Sequence, residues 1–464
     1  MRLEQTNTRA VDEFLSIGPP QRRGEPAPRV MLLTSGLGFG HVRATQAISA
    51  ALRGSAEVCT LDLWSLMNPN AASAIHQTYL SLVQNHSRLY ERLYRLDEHT
   101  WRQILESESG PPPEVLEVLE LISAIAAQAV ANAPRGGRYA SDRVLLSLLC
   151  AALPYDRDSL AGAGVRARLA LMKWTWLRLI RRLEPAIRRF GPDVVISTQM
   201  IPAAMASYLR LRGRAPAPII GVMTDFGVHD FWKQRGLDCY CIAHASVAGG
   251  VRSMFPHAQE LDTGAPLMPE FAHPVTQVEA RAQLGLPQGR GVVLVQGGGL
   301  GLSVDAAARI LLDRPSETYV VAMAGRNWSA KAALAELAVS HPQRLRVCEW
   351  TDRVDLYLRA CDVVVGKPGG ISVAEALACG RPLLATRSLG GQEGFNVRFL
   401  ERHEVGGLVA DAELGARIDA LLADRGALQS VQQRAWSLGR RDGARRIAAL
   451  ALDLAAAQSS LMLD

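Results

Sequence analysis

The chain has 464 residues, of which 48% are hydrophobic and 21% charged, and its formal net charge is +6. This length exceeds one ordinary hydrophobic core and predicts two domains, while the composition is globular and excludes a disordered chain. The mild positive excess does not indicate a nucleic-acid partner. No segment reaches the roughly 18 apolar residues of a spanning helix, and the polar start lacks a signal-peptide pattern. We therefore expect a cytoplasmic protein.

The seven cysteines do not follow the spacing of a metal site. Only Cys239 and Cys241 are close in sequence, and no second pair accompanies them. A structural zinc site needs four closely grouped ligands, so no metal is expected. Reduced thiols, as in a cytosolic protein, are the expected state.

The first part of the chain predicts a parallel sheet after a flexible tail over residues 1–28. An apolar run, a glycine turn, a helical pattern and a second apolar run follow in order, at 29–34, 35–41, 42–52 and 57–63. This order predicts a doubly wound α/β sheet. Residues 64–160 are mostly helical in pattern and are predicted to elaborate the N-terminal domain.

Residues 165–189 predict an amphipathic helix with a basic polar face. Apolar residues recur at steps of three and four, and eight basic residues stand against a single acid, Glu184. Basic residues interleaved with tryptophans suit an anionic membrane surface, whereas a packed helix with a solvated basic face is the alternative. The residues assigned to the membrane or acceptor side are Trp174, Trp176, Arg178, Arg181 and Arg182.

A second α/β set starts at residues 291–296, after the strands of the first set have ended. The predicted boundaries are an N-terminal domain over 29–270, a C-terminal domain over 285–440 and a C-terminal helix over 441–464. Each domain opens with a strand, a glycine turn and a helix. The sequence therefore predicts two facing Rossmann-like halves with a cleft between them.

The most informative segment is Gly366-Lys-Pro-Gly-Gly-Ile-Ser-Val-Ala-Glu375. It follows the apolar run 362–365 and leads into an Ala-rich helical pattern. Glycines let the backbone approach a phosphate, and the first amides of the helix point at it. Glu375, one or two turns into the helix, is placed to accept hydrogen bonds from a ribose. This pattern predicts a sugar-nucleotide site, to which Gln392, Glu393 and Asn396 would add polar groups for sugar hydroxyls.

Other glycine loops and polar groups follow predicted strands. Gly297, Gly298 and Gly299 would bring bare amides to a diphosphate, although a structural turn is the alternative. Arg326 follows a strand and would neutralise phosphate charge, unless it is simply solvated. Lys367 lies within the phosphate loop itself and is the stronger candidate for a direct phosphate contact.

A histidine follows the first glycine turn, and a polar run follows a later strand of the first domain. His41 is predicted near a helix N-terminus, where the helix dipole disfavours its charged form and keeps it available as a base. Asp225 and His229 would orient an acceptor hydroxyl or support His41, although Asp225 also suits a turn cap. Trp232 would line an apolar acceptor pocket or belong to the core.

Taken as an ordered set, these motifs resemble a known family over residues 29–100 and 165–410. The family is the GT-B glycosyltransferases, family 28, which include monogalactosyldiacylglycerol synthase and the processive diacylglycerol glucosyltransferases and are related to MurG. The shared motifs are the glycine loop before His41, the run Thr224–Trp232, the exit Thr263–Pro266, the Gly297 loop and the Gly366 block with the following Gln392-Glu393 and Asn396. Residues 101–164 match nothing in the family pattern.

The resemblance implies a GT-B fold and a role for each matching residue. His41 would be the base, and Asp225 and His229 would line the acceptor side. The uracil would lie near Trp350 and Thr351, and Glu375 would bind the ribose. The residues that would hold UDP are Gly297, Gly298, Gly299, Arg326, Lys367, Gly369, Gly370 and Ser372; those that would read the sugar are Gln392, Glu393 and Asn396.

Enzymes of this family are typically inverting, metal-independent and peripheral on the inner face of the plasma membrane. The resemblance thus implies a UDP-sugar donor, a lipid acceptor, most simply diacylglycerol, and an anionic membrane surface. A sugar-nucleotide epimerase and a transferase with a soluble or polyprenyl-linked acceptor remain the alternatives. The sequence leaves open which sugar is transferred, how many are added and the oligomeric state.

Overall fold

Two parallel sheets organise the computed structural model, which describes residues 27–36, 38–66, 179–229, 232–387 and 392–461. Most of the tail, residues 67–160, and the predicted membrane residues Trp174, Trp176 and Arg178 lie outside these ranges. Within the described part of the chain, no helix is both long and apolar enough to cross a membrane.

The first sheet has six parallel strands in the order β2-β1-β3-β4-β5-β6. Its central strands are apolar along their whole length because helices cover both faces, as is usual for parallel sheets. The strands are β1 (Arg29–Thr34), β2 (Glu57–Asp62), β3 (Val194–Ser197), β4 (Ile219–Val222), β5 (Cys239–Ile242) and β6 (Gln259–Asp262). The helices are α1 (Phe39–Leu52), α2 (Met200–Arg210) and α3 (Ala248–Met254). We call this part the acceptor half.

Helix α1 begins three residues earlier than its sequence pattern predicts. Gly38 stands before it at φ 108°, a conformation that glycine adopts without the Cβ clash of other residues, and the helix starts at Phe39. His41 therefore lies in the first turn of α1 instead of in the preceding loop.

The second sheet repeats the architecture in the order β12-β11-β10-β7-β8-β9, again fully parallel. Its strands are β7 (Val292–Gln296), β8 (Tyr319–Met323), β9 (Leu345–Cys348), β10 (Val363–Gly366), β11 (Leu383–Ala385) and β12 (Gly406–Leu408). The helices are α4 (Gln277–Leu284), α5 (Val304–Leu312), α6 (Trp328–Ser340), α7 (Val354–Ala360), α8 (Gly370–Ala378), α9 (Gln392–Arg402), α10 (Asp411–Ala423) and α11 (Arg425–Leu438). We call this part the donor half.

The last helix, α12 (Gly443–Leu461), returns to the acceptor half. Its buried stripe, which includes Ile447 and Ala451, packs against the core formed by β1, β3 and α1. Close by, Arg440 Nη2 lies 2.8 Å from Asp262 Oδ2, at the end of β6. The C-terminal residues thus belong structurally to the first sheet, although they follow the second in sequence.

The described part of the basic helix, residues 179–190, also packs on the first sheet. Leu179, Ile180, Leu183 and Ile187 form its apolar stripe and are buried in the core of the acceptor half. This stripe is therefore unavailable to a membrane, and only the basic face reaches the surface.

Candidate active site

A cavity of about 360 Å³ lies between the two halves. Its walls come from segments that directly follow β1, β3 and β4 of the acceptor half and β7, β8, β9 and β10 of the donor half. Ligands of open parallel sheets bind at these carboxyl ends of the strands. The cavity is thus the candidate active site.

His41 lines the cavity from the first turn of α1. Its Nδ1 lies 2.8 Å from the main-chain oxygen of Thr198, which can only accept a hydrogen bond, so Nδ1 carries the proton. The lone pair of the neutral ring is therefore on Nε2. Burial lowers the pKa of His41, while Asp225 and the bond to Thr198 act in the opposite direction. A neutral histidine with a fixed tautomer is suited to accept a proton.

Hydrogen bonds between threonine side chains restrain the backbone at His41. Thr45 Oγ1 donates to the main-chain oxygen of His41 over 2.9 Å, and it lies 2.8 Å from Thr198 Oγ1. Thr198 in turn donates to Thr34 Oγ1 at 3.2 Å. All three threonines are buried, so the hydroxyl network restrains the first turn of α1 relative to β1 and β3.

Two glycine loops of the donor half form the opposite wall. Gly297, Gly298 and Gly299 follow β7, and Gly369, Gly370 and Ser372 open helix α8 after β10. The amides at the start of α8 have no partner within the helix and face an anion favourably. All six residues, which were predicted to hold UDP, line the cavity.

Gly370 and Gly299 also lie at close contacts between the two halves. A Cβ on Gly370 would lie 2.2 Å from the main-chain oxygen of Thr224, and one on Gly299 would lie 2.3 Å from the Phe39 ring. Neither distance is possible for a real side chain, so these glycines permit the close approach of the two halves.

Lys367 and Glu393 form an ion pair at the cavity, with 2.5 Å between Nζ and Oε1. The Glu393 side chain is nearly buried, and Gln392 beside it also lines the cavity. The pair fixes the lysine charge next to the glycine loop of α8. A phosphate could therefore meet an ammonium group that is already oriented.

Glu375 lies in the cavity wall and is only 8% exposed. Burial raises the pKa of Glu375 to about 7, and the nearby Arg43 opposes this effect. With this pKa the carboxyl group is partly protonated near neutral pH, and at the cavity wall it can donate or accept a hydrogen bond.

An aromatic and cationic stack stands at one side of the cavity. Trp350 and Thr351, near which the family resemblance places the uracil, line the cavity after β9. The guanidinium of Arg326 lies 4.7 Å from the Trp350 ring centroid and 4.9 Å from that of Phe39, distances typical of cation–π contacts. Arg326 itself is exposed and is not among the residues that line the cavity, but it stacks on two residues that are.

Asp225 lines the cavity, whereas Asn396, Trp232 and His229, like Arg326, do not. Asn396 is fully buried and bonds to Asp225 and to two main-chain groups, so it is not free to read a sugar. Trp232 belongs to the core of the acceptor half, where it packs edge-on against Tyr240. His229 is half-buried, and its main-chain oxygen accepts from the amide of Trp232.

Arg43 is a cavity residue that sequence reasoning missed. It comes from α1, yet its Nη1 lies 3.5 Å from Oδ1 of Asp352 in the donor half. Its positive charge also lowers the pKa of Glu375, which belongs to the donor half. Its position two residues after His41 was the available signal. Gln199, Met200 and Ile201 were also missed; they line the acceptor side where α2 begins.

The basic residues predicted for the membrane divide into two groups. Arg181 is exposed, whereas Arg182 donates from Nη1 to the main-chain oxygen of Leu66 over 2.8 Å. Glu184 is buried and pairs with Arg188 and Arg214. Arg182 is therefore partly structural, because it ties the helix to the segment after β2.

The described residues include no group of three or more His, Cys, Asp or Glu arranged to hold a metal ion.

Comparisons with known proteins agree with this architecture. A family model described as monogalactosyldiacylglycerol (MGDG) synthase matches residues 167–254, and one for glycosyl transferases group 1 matches residues 294–424. A processive diacylglycerol beta-glucosyltransferase of Bacillus pumilus is 29% identical over 263 residues, which are 56% of this chain and 68% of the relative. The Bacillus subtilis protein of the same name is 28% identical over 54% of this chain and 66% of its own length.

Solved structures show the same fold at low sequence identity. The crystal structure of Acinetobacter baumannii MurG has a TM-score of 0.55 at 15% identity and covers 92% of this chain and 99% of its own. A UDP-glucosyltransferase from Polygonum tinctorium gives 0.53 at 12% identity, with 93% and 99% covered. The predicted GT-B fold and family resemblance are confirmed. The chain is a glycosyltransferase of the GT-B fold, in which residues 167–254 match the MGDG synthase model and residues 294–424 match the glycosyl transferases group 1 model.

Proposed function

We propose that this protein transfers a hexose from a UDP-sugar to the free hydroxyl of diacylglycerol, with inversion at the sugar carbon. One observation carries the proposal: a single cavity brings the neutral His41 of one half opposite the glycine loops and Glu375 of the other. The names of the Bacillus relatives supply the lipid acceptor.

The donor half would hold the UDP portion. The amides before and within the first turn of α8, together with Lys367, favour a diphosphate. Glu375, which is largely buried in the cavity wall, would accept bonds from the ribose hydroxyls. Trp350 and Thr351 line the side of the cavity that would take the base. Gln392 and Glu393 remain the candidates for the sugar hydroxyls.

His41 would act as the general base. Its Nε2 takes the proton of the acceptor hydroxyl as that oxygen attacks C1 of the sugar, and the bond from C1 to the diphosphate breaks. A single displacement of this kind inverts C1 and releases UDP. The helix terminus and Lys367 would offset the charge that develops on the leaving diphosphate, so we expect no requirement for a metal.

The acceptor would enter from a membrane surface. Arg181 and Arg189 are exposed on the basic helix, and each basic residue near an anionic surface adds about 1 kcal/mol of attraction. Because the apolar stripe of this helix is buried, binding would rest on charge, at the inner face of the plasma membrane. We predict that Arg181→Glu/Arg189→Glu lowers binding to anionic liposomes in a flotation assay. Arg53→Glu, an exposed site at the end of α1, is the control; equal losses would contradict a specific membrane face.

The decisive experiment offers the purified protein UDP-glucose, UDP-galactose and UDP-N-acetylglucosamine separately, with diacylglycerol in anionic liposomes. Mass spectrometry of the lipids identifies the product. A hexosyl-diacylglycerol from one donor supports the proposal and names the sugar. UDP release without a glycolipid would contradict the acceptor, and interconversion of the free donors would favour an epimerase.

A further inference from the structure

We propose that Asn396 is a positioning residue that locks Asp225 and the phosphate loop into one arrangement when the two halves close. Asn396 belongs to α9 of the donor half, whereas Asp225 follows β4 of the acceptor half. The inference deepens the proposed function, because Asp225 would matter through its place in the cavity with His41.

The carboxamide of Asn396 uses both of its donor hydrogens and accepts one bond. Nδ2 donates to Asp225 Oδ1 over 2.9 Å and to the main-chain oxygen of Pro368 over 3.0 Å. Oδ1 accepts from the main-chain amide of Phe226 over 2.8 Å. Two of these partners lie in the acceptor half, and the third lies in the loop between Lys367 and Gly369.

The surroundings of Asn396 make these bonds consequential. The residue is fully buried, so a lost partner cannot be replaced by bulk water without opening the interface. The halves meet tightly around it: the Phe226 ring lies 4.3 Å from the Phe399 ring, and Gly370 abuts Thr224. Asn396 is thus the polar centre of an otherwise apolar and closely packed contact.

Only an amide satisfies this set of partners. The Asp225 carboxylate and the Pro368 oxygen are acceptors, whereas the Phe226 amide is a donor, so the residue between them must donate twice and accept once. A carboxylate at position 396 would retain the bond from Phe226. It would lose both donations and place a second negative charge against Asp225. The bond to Asp225 also fixes the carboxylate that acts electrostatically on His41.

The test compares Asn396→Asp with the reciprocal variant Asp225→Asn/Asn396→Asp. The single change opposes two carboxylates, whereas the double change restores a donor and an acceptor across the same contact. Gln277→Glu is the matched control, since the Gln277 amide also makes several hydrogen bonds but all inside the donor half. If the single variant does not fold, Asn396→Ser replaces it, because its hydroxyl keeps one donor.

We measure the radius of gyration by small-angle X-ray scattering with and without UDP, the Kd for UDP and kcat. We expect Asn396→Asp to expand the protein and lower kcat about 10- to 100-fold, while the Kd for UDP changes less than about fivefold, because two interface bonds are lost and the UDP-facing groups are kept. The reciprocal variant should regain compactness but not full turnover, since the carboxylate has moved away from the cavity.

Compactness and kcat at wild-type levels in Asn396→Asp would overturn the inference. So would an equal loss in Gln277→Glu, or a reciprocal variant as expanded as the single one. The scattering arm needs neither donor nor acceptor, so it decides on Asn396 independently. Absence of UDP binding to the wild-type protein would instead contradict the proposed function.

Discussion

At the scale of single residues, the cavity contrasts a buried base with a buried acid. The ring of His41 is held neutral by its surroundings, and its tautomer is set by Thr198. Glu375 also resists ionisation, because burial raises its pKa. Near neutral pH His41 is therefore kept neutral, whereas Glu375, with a pKa of about 7, is partly protonated and partly ionised.

Replacing the base should separate chemistry from binding. We predict that His41→Ala lowers kcat by at least about 100-fold, the usual contribution of a positioned base, while the Kd for UDP stays within about twofold. Calorimetry with UDP and a glycolipid assay give the two values. In the wild type, kcat/KM should rise with pH and level off below the usual histidine pKa, because that of His41 is lowered. A parallel loss of UDP binding would instead make His41 structural.

The raised pKa of Glu375 predicts that this side chain lowers the stability of the ligand-free protein while it favours UDP binding. Its folded-state pKa of about 7 lies above the usual glutamate value of 4.5, so ionisation costs the folded state free energy as pH rises through this window. Glu375→Gln should therefore stabilise the ligand-free protein at pH 8 by up to about 3 kcal/mol, with little gain at pH 4. The same change should weaken UDP binding. Thermal unfolding at both pH values tests the first effect, and a lower Tm at pH 8 would contradict it.

At the scale of elements, the start of α8 serves both the ligand and the contact between halves. Its first amides face the cavity, and Gly370 touches the main chain of Thr224. The same turn can therefore bind a phosphate and also contact the other half. Nothing larger than glycine fits at this position in the closed arrangement.

A single methyl group at this contact should hinder closure. We predict that Gly370→Ala lowers kcat about tenfold or more, because a shift of even 1 Å at a closing site is costly to catalysis. Gly249→Ala on α3 is the control, since its added Cβ would meet no atom within 4 Å. Turnover and scattering are measured for both variants. Wild-type kcat in Gly370→Ala would show that the closed contact is dispensable.

What the sequence could and could not predict follows from the range of the interactions. His41, the Gly297 loop and Glu375 belong to strand-turn-helix units, where a local pattern fixes which residues face the ligand edge of the sheet. The contacts of Asn396 and Arg326 were not predictable from a local pattern because they depend on partners distant in sequence, whereas the core position of Trp232 is one of the two alternatives that the sequence left open. Asn396 bonds to a residue 171 positions away, and Arg326 stacks on Phe39 of the other half. Arg43 was missed for the same reason.

At the scale of the whole molecule, the chain crosses between the halves twice. It passes from β6 to the donor half after residue 262, and α12 returns to cover the first sheet. The acceptor half is therefore built from both ends of the described chain. Its stability should depend on residues that follow the donor half in sequence, and Ile447, which is fully buried, is the place to test this.

We predict that Ile447→Ala destabilises the protein by about 2–5 kcal/mol, the cost of removing a large buried aliphatic side chain. The cavity opens beside Val30 and Ile48 of the acceptor half, so the acceptor half should unfold at lower urea than the donor half. Arg445→Ala on the exposed face of α12 is the control and should change stability by less than about 0.5 kcal/mol. Urea unfolding followed by hydrogen exchange assigns the loss to one sheet. Protection lost first in β7 and β10 would contradict this assignment, because α12 would then support the donor half.

Because His41 is held by β1 and β3, the Ile447→Ala variant should also lose turnover before it loses UDP binding.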